Sequence, residues 1–418
     1  MFSLSRTASR RERVVGVVLV GLLASGGVVA PQATAEETRS PWYMDAMRMD
    51  QVWQRAQGEG ITVAMLDTGV DASLPTLEGR VLEGVDLTRG GESAHTDTAG
   101  HGTIMAGLIA GSGTGNGIAG LAPSVQILPI RVSAASVDFG LEERWSRAIE
   151  YAISSGADII SISLAKEQFG SIPELEAAIA SAARNDILIF AGSGNEGDGA
   201  NTLMVPAALD GVVGVGAVGQ QGGWADYSTY GPQVALAAPG DGVPGRCPDG
   251  SHQPACIMER GGTSAATALA SASAALIWSA HPEWTKNQVL RVMLETADGP
   301  EGAERDDFVG YGMVRPDRVI LDGEGDPGDP DVNPLFEEYE AALDPPASPE
   351  PEPEAAPEPE RARGEGGDAL EVPLAGAGAA SGEGGGGAGP LALAGVVGVV
   401  VLGGVAAAVV FNRRKRMT

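Results

Sequence analysis

Between residues 61 and 218 the chain repeats short, nearly unbroken apolar runs: Ile61 to Asp67, Gln126 to Val132, Asp158 to Leu164, Ile187 to Gly192 and Val212 to Val218. Runs of this length without polar alternation predict parallel strands covered on both faces. Helical stretches lie between several of them, notably Leu141 to Ser154 and Glu174 to Asn185. Strands that alternate with helices predict an α/β layered fold with a mainly parallel central sheet. In such folds ligands sit beyond the carboxyl ends of the strands, so chemistry is expected in the polar residues that follow each run.

Two longer apolar stretches break the pattern. Arg6, Arg10, Arg11 and Arg13 precede an apolar run from Val14 to Ala30, and small residues follow as Ala33-Thr34-Ala35. That order predicts a secretory signal peptide over residues 1–35, with an N-terminal membrane anchor as the alternative. Leu391 to Phe411 contains only Ala, Val, Leu, Gly and one Phe. It is long enough for roughly 30 Å of helix, so a transmembrane helix is expected over 390–411. The basic residues Arg413, Arg414, Lys415 and Arg416 assign the tail 412–418 to the cytoplasm and the body of the protein to the outside of a plasma membrane.

Charge refines this division. The formal net charge is -28, yet residues 322–389 hold 18 acidic groups against Arg361 and Arg363 alone. A Pro/Gly-rich acidic segment buries too little apolar surface to order itself, so 321–389 is expected to be a disordered linker and 36–320 a single folded domain. The rest of the chain has no interleaved basic and aromatic residues, which excludes a nucleic-acid binder. Cys247 and Cys256 are the only cysteines. Export favours a local disulfide between them, two free thiols being the alternative.

Three segments carry the candidate chemistry. Asp67-Thr68-Gly69 ends the first strand, Gly100-His101-Gly102-Thr103 opens a small-residue helix, and Gly261-Gly262-Thr263-Ser264-Ala265-Ala266 opens a longer one. A serine becomes a nucleophile only with a base in reach and an acid behind that base. His95, His252 and His281 lack the glycine setting of His101 and read as surface or turn residues.

In this order the three segments resemble the aspartate, histidine and serine signatures of the subtilisin (subtilase, peptidase S8) family. The resemblance extends through Ala191 to Gly197, Val205-Pro206-Ala207 and Ala237 to Gly240. It implies a subtilisin-like three-layer fold and a serine-type endopeptidase with Asp67, His101 and Ser264 as its triad and Asn195 as an oxyanion donor. It further implies that Ser163, Leu164 and Ala165 form an edge for substrate, with Gly192, Ser193, Gly194 and Glu196 beside it. Glu196 hints at tolerance of basic or polar side chains. The chain departs from the pattern at Ala165, where the family usually has glycine, and at Ile104 and Ala268; restricted substrates are expected. No cofactor or metal is required by such chemistry. Calcium stays an open alternative, since Gly111 to Gly120 lacks a carboxylate cluster. A signal peptide, a subtilisin-like domain with little sequence before it, a Pro-rich tail and one C-terminal span together resemble the mycosins, membrane proteases of type VII secretion systems. That resemblance implies polypeptide substrates among exported proteins and partners among the secretion system's membrane components. A docking subunit of a secretion complex and a general cell-surface subtilisin are the alternatives.

Overall fold

The computed structural model describes residues 41–343, except 135–139, 168–169, 252–254, 301 and 303. The expected signal peptide, the linker beyond 343, the span over 390–411 and the basic tail lie outside the described residues. The strands are β1 (Thr62–Asp67), β2 (Val85–Asp86), β3 (Gln126–Arg131), β4 (Ile159–Ile162), β5 (Lys166–Glu167) and β6 (Leu188–Gly192). They continue with β7 (Met204–Val205), β8 (Val213–Val218), β9 (Val234–Pro239), β10 (Val243–Gly245) and β11 (Cys256–Met258). The helices are α1 (Trp42–Ala46), α2 (Met49–Val52), α3 (His101–Ala110), α4 (Leu141–Ser154), α5 (Pro173–Arg184), α6 (Gly262–Ala280), α7 (Lys286–Thr296) and α8 (Glu337–Leu343).

Seven strands form one sheet in the order β2-β3-β1-β4-β6-β8-β9, and every pair in it is parallel. The expected α/β class and mainly parallel sheet are therefore present. Unbroken apolar runs are needed because both faces are covered. Val63 and Met65 of β1 point into one core, shared with α3 and α6, while Ala64 and Leu66 point into the other, shared with α4 and α5. Burying a Val, Leu or Ile in this way stabilises by about 1.5–3 kcal/mol each. The strand order reverses at β1, whose neighbours are β3 and β4. A crevice opens at such a switch point beyond the carboxyl ends of the strands, and β1 ends there in Asp67.

One expectation changes. Residues 322–343 belong to the expected linker by composition, yet they lie along the folded body. Lys286, a buried residue of α7, pairs with Glu340 of α8 at 2.6 Å, and Asn333 Nδ2 donates to the same carboxylate at 2.8 Å. Arg291 Nη2 donates to the Val332 carbonyl at 2.7 Å, and Leu335 and Phe336 pack on the main core. The acidic segment finds its cations on a helix distant in sequence, and its few apolar residues supply the contact that its average composition conceals.

Candidate active site

Asp67 is fully buried. Its Oδ1 accepts from the Thr68 N–H at 2.7 Å and from His101 Nδ1 at 2.7 Å. A carboxylate only accepts, so Nδ1 carries the proton, and in the neutral ring Nε2 is left as the acceptor. Burial disfavours the imidazolium and is the largest influence on His101. The charge and hydrogen bond of Asp67, with the charge of Asp97, outweigh it and hold the imidazole pKa above its ordinary value.

The helix that carries His101 is fixed by an acid outside the three motif segments. Asp97 accepts from the N–H groups of Gly100 and Thr103, both at 2.8 Å, from Thr103 Oγ1 at 2.6 Å and from Thr68 Oγ1 at 2.8 Å. It thus satisfies amide donors at the start of α3 and ties that helix to the turn after β1. Asp97 lies three residues before Gly100, the N-cap of α3, outside the position where a capping residue announces itself in the sequence. The close approach of helix and turn also requires Gly102, where a Cβ would stand 2.1 Å from the Gly69 carbonyl oxygen.

Ser264 lies in the first turn of α6, a 19-residue helix of small residues that crosses beneath β4, β6, β8 and β9. Anions are favoured at such an N-terminus. The Ser264 hydroxyl donates to the Ser163 carbonyl at 2.9 Å, and the Ser163 hydroxyl donates to the Ser264 carbonyl at 3.0 Å. These reciprocal bonds pin the end of α6 to the segment after β4. Asn195 is exposed, and its Oδ1 accepts from the Thr263 N–H at 2.9 Å and Thr263 Oγ1 at 3.3 Å. That fixes the amide plane and leaves Nδ2 as the atom able to donate to another group.

A cleft of about 210 Å³ gathers His101, Asn195 and Ser264 with Ser163, Leu164, Ala165, Gly192, Gly194 and Glu196. Asp67 sits behind His101, out of solvent. Ser193 is not in the cleft. It is fully buried, its N–H donates to the Val215 carbonyl at 2.9 Å, and its hydroxyl has no hydrogen-bond partner among the described residues. Successive side chains of extended backbone face opposite ways, so placing its neighbours at the cleft sends Ser193 inward. Met204 and Thr263 also line the cleft; Thr263 belongs to the segment that carries Ser264, whereas Met204 carries no chemical signal in the sequence. Cys247 and Cys256 form a disulfide across the antiparallel β10–β11 hairpin, which reaches the start of α3 where Arg246 Nη1 donates to the Ala99 carbonyl at 3.3 Å.

A buried carboxylate steadying an imidazole, at a cleft shared with a serine on a helix N-terminus, is the equipment of serine hydrolases that act by acyl transfer. The Subtilase family, Peptidase_S8, matches residues 58–312. The chain belongs to this family and is a subtilisin-like serine protease. It is 34% identical over 250 residues to the major intracellular serine protease of Bacillus subtilis (strain 168), covering 58% of this chain and 76% of that protein. It is similar to the solved MycP3 protease from the type VII (ESX-3) secretion system, with a TM-score of 0.59 and 30% identity over 68% of this chain and 88% of that one. It is also similar to a chain of an intact ESX-5 inner membrane complex, with a TM-score of 0.58 and 26% identity over 70% of this chain and 80% of that one.

Proposed function

We propose that this chain is a membrane-anchored serine endopeptidase that processes exported proteins in association with a type VII secretion system. The reading rests above all on one observation: Asp67 Oδ1 holds His101 Nδ1 at 2.7 Å, and His101 opens on the cleft that Ser264 and Asn195 share. In this reading Ser264 Oγ turns from the Ser163 carbonyl toward His101 Nε2, gives up its proton there and attacks the peptide carbonyl carbon. The imidazolium, steadied by Asp67, then protonates the leaving amine. Water repeats the two proton transfers to release the acid. The developing oxyanion is met by Asn195 Nδ2 and the Ser264 N–H, aided by the helix N-terminus.

Asn195→Ala is expected to lower kcat by about 10² to 10³, the scale known for this donor in subtilisin, a relative. KM should change little, because the donor acts on charge that exists only in the transition state. A raised KM with kcat unchanged in steady-state kinetics would assign Asn195 to ground-state binding instead.

Membrane anchoring is supported by the apolar run Leu391 to Phe411 and the basic residues after it. Association with a secretion machine is supported by the likeness to MycP3 and to a chain of the ESX-5 complex, and the second of these also favours a docking role. One experiment addresses both. Cells carrying Ser264→Ala are expected to assemble the membrane complex normally while exported proteins stay uncut. Normal processing in those cells would refute the enzymatic reading, and loss of assembly would tie docking to the reactive centre.

A further inference from the structure

We infer that Met204 closes the pocket for the substrate side chain on the acyl side of the scissile bond, and restricts that position to small residues such as Ala, Ser and Gly. The inference rests on the reading of Ser264 and Asn195 given above. If the acyl carbonyl carbon meets Ser264 and its oxygen meets Asn195 Nδ2, the side chain in question springs from the very next carbon. It therefore enters the slot between the segments 163–165 and 192–196, which continue from the neighbouring strands β4 and β6.

What that slot contains follows from the chain path. Directly after Ala165 the backbone forms β5, which pairs antiparallel with β7, setting Glu167 opposite Met204 and Lys166 opposite Val205. The pairing brings Met204 to the slot. There it lies against Gly194, where an added Cβ would stand 2.7 Å from Met204 Cγ. Gly194 has φ +110, so this backbone leaves a surface without a side chain of its own and the methionine covers it. The methyl of Ala165 lines the same cleft. The cleft, at about 210 Å³, falls below the roughly 300–1,000 Å³ of a pocket that engulfs a large ligand, and it must also hold the reacting peptide. Methionine is unbranched and deformable, so exclusion is graded rather than absolute.

The test uses the full-length protein in detergent and internally quenched peptides that differ only at this position, as Ala, Ser, Leu, Phe or Arg. For the native chain kcat/KM for Ala should exceed that for Leu or Phe by about tenfold or more, the scale of size discrimination in an apolar pocket. Met204→Gly and Met204→Ala should each raise the Phe-to-Ala ratio of kcat/KM by about tenfold or more. Leu203→Ala, at the preceding exposed position, should leave that ratio within about twofold, since its side chain is no part of the slot. A native preference for Leu or Phe, or an unchanged ratio in both Met204 variants, overturns the inference. A native preference for Arg also overturns it and assigns control to Glu196. Reaction with a fluorophosphonate separates the two levels. A chain that reacts but shows no shift in preference counts against Met204 alone, whereas a native chain that does not react counts against the serine-protease cleft and the inference with it.

Discussion

Replacing Ser264 with alanine is expected to lower kcat about 10⁶-fold, the scale known for the nucleophile of the relative subtilisin, while leaving the protein folded. The two halves of that result have separate origins. Activity falls because no other group in the reaction scheme can form the acyl intermediate, and the oxyanion donors then act only on direct attack by water. Stability is nearly preserved because, among the described residues, the hydroxyl makes one structural hydrogen bond, to the Ser163 carbonyl at 2.9 Å. Such a bond contributes about 0.5–1.5 kcal/mol. Alanine offsets part of it as the better helix former in the first turn of α6. The reciprocal bond from Ser163 Oγ to the Ser264 carbonyl at 3.0 Å survives the change. Turnover of a peptide ester, measured beside a thermal melt, checks both halves. A melt that collapses with the activity would mean that the hydroxyl is holding the helix rather than doing chemistry.

Asp67→Asn is expected to lower kcat about 10⁴-fold, the scale seen when a triad carboxylate becomes an amide. The shape of the side chain is kept, but the partner of His101 Nδ1 changes character. A carboxylate can only accept, which keeps the proton on Nδ1 and leaves Nε2 free to act as a base. An amide can instead donate to Nδ1 and drive the proton to Nε2, where it faces the serine. The pH profile should shift as well. In the proposed mechanism His101 is a base only when neutral, and against the opposing pull of burial Asp67 and Asp97 hold its pKa above the ordinary 6.5. Activity of the native chain is therefore lost as pH falls through that raised value, so the acid limb of kcat/KM lies above pH 6.5. Removing the charge of Asp67 leaves burial and Asp97 in contest, and the limb moves to lower pH in the variant. An unmoved limb would show that a different group controls it.

The parallel sheet was legible because burial on both faces leaves an unbroken apolar trace. The runs Gln126 to Val132 and Ile187 to Gly192 match β3 and β6 to within one residue at each end. β9 (Val234–Pro239) gives a weak strand signal. Its alanines have low strand propensity and its proline suits an edge position, which is where β9 lies. The residues at the cleft divide by whether their chemistry is local. Asp67, His101, Ser264 and Asn195 stand close to glycines at strand ends and helix starts, and these segments announce themselves. Met204 reaches the cleft only through the pairing of two-residue strands, and Ser193 leaves it only through the alternation of side chains. The order of residues 322–343 likewise depends on Lys286 and Arg291, partners that no local window contains.

The central claim is that Ser264, activated by His101, is the reactive alcohol of the cleft. Labelling the native protein with a fluorophosphonate and locating the adduct by mass spectrometry tests it directly, because Ser163 offers a second hydroxyl beside the first. The account predicts a single adduct on Ser264 that forms faster as pH rises through the His101 pKa. An adduct on Ser163, or no adduct on the folded protein, would contradict it.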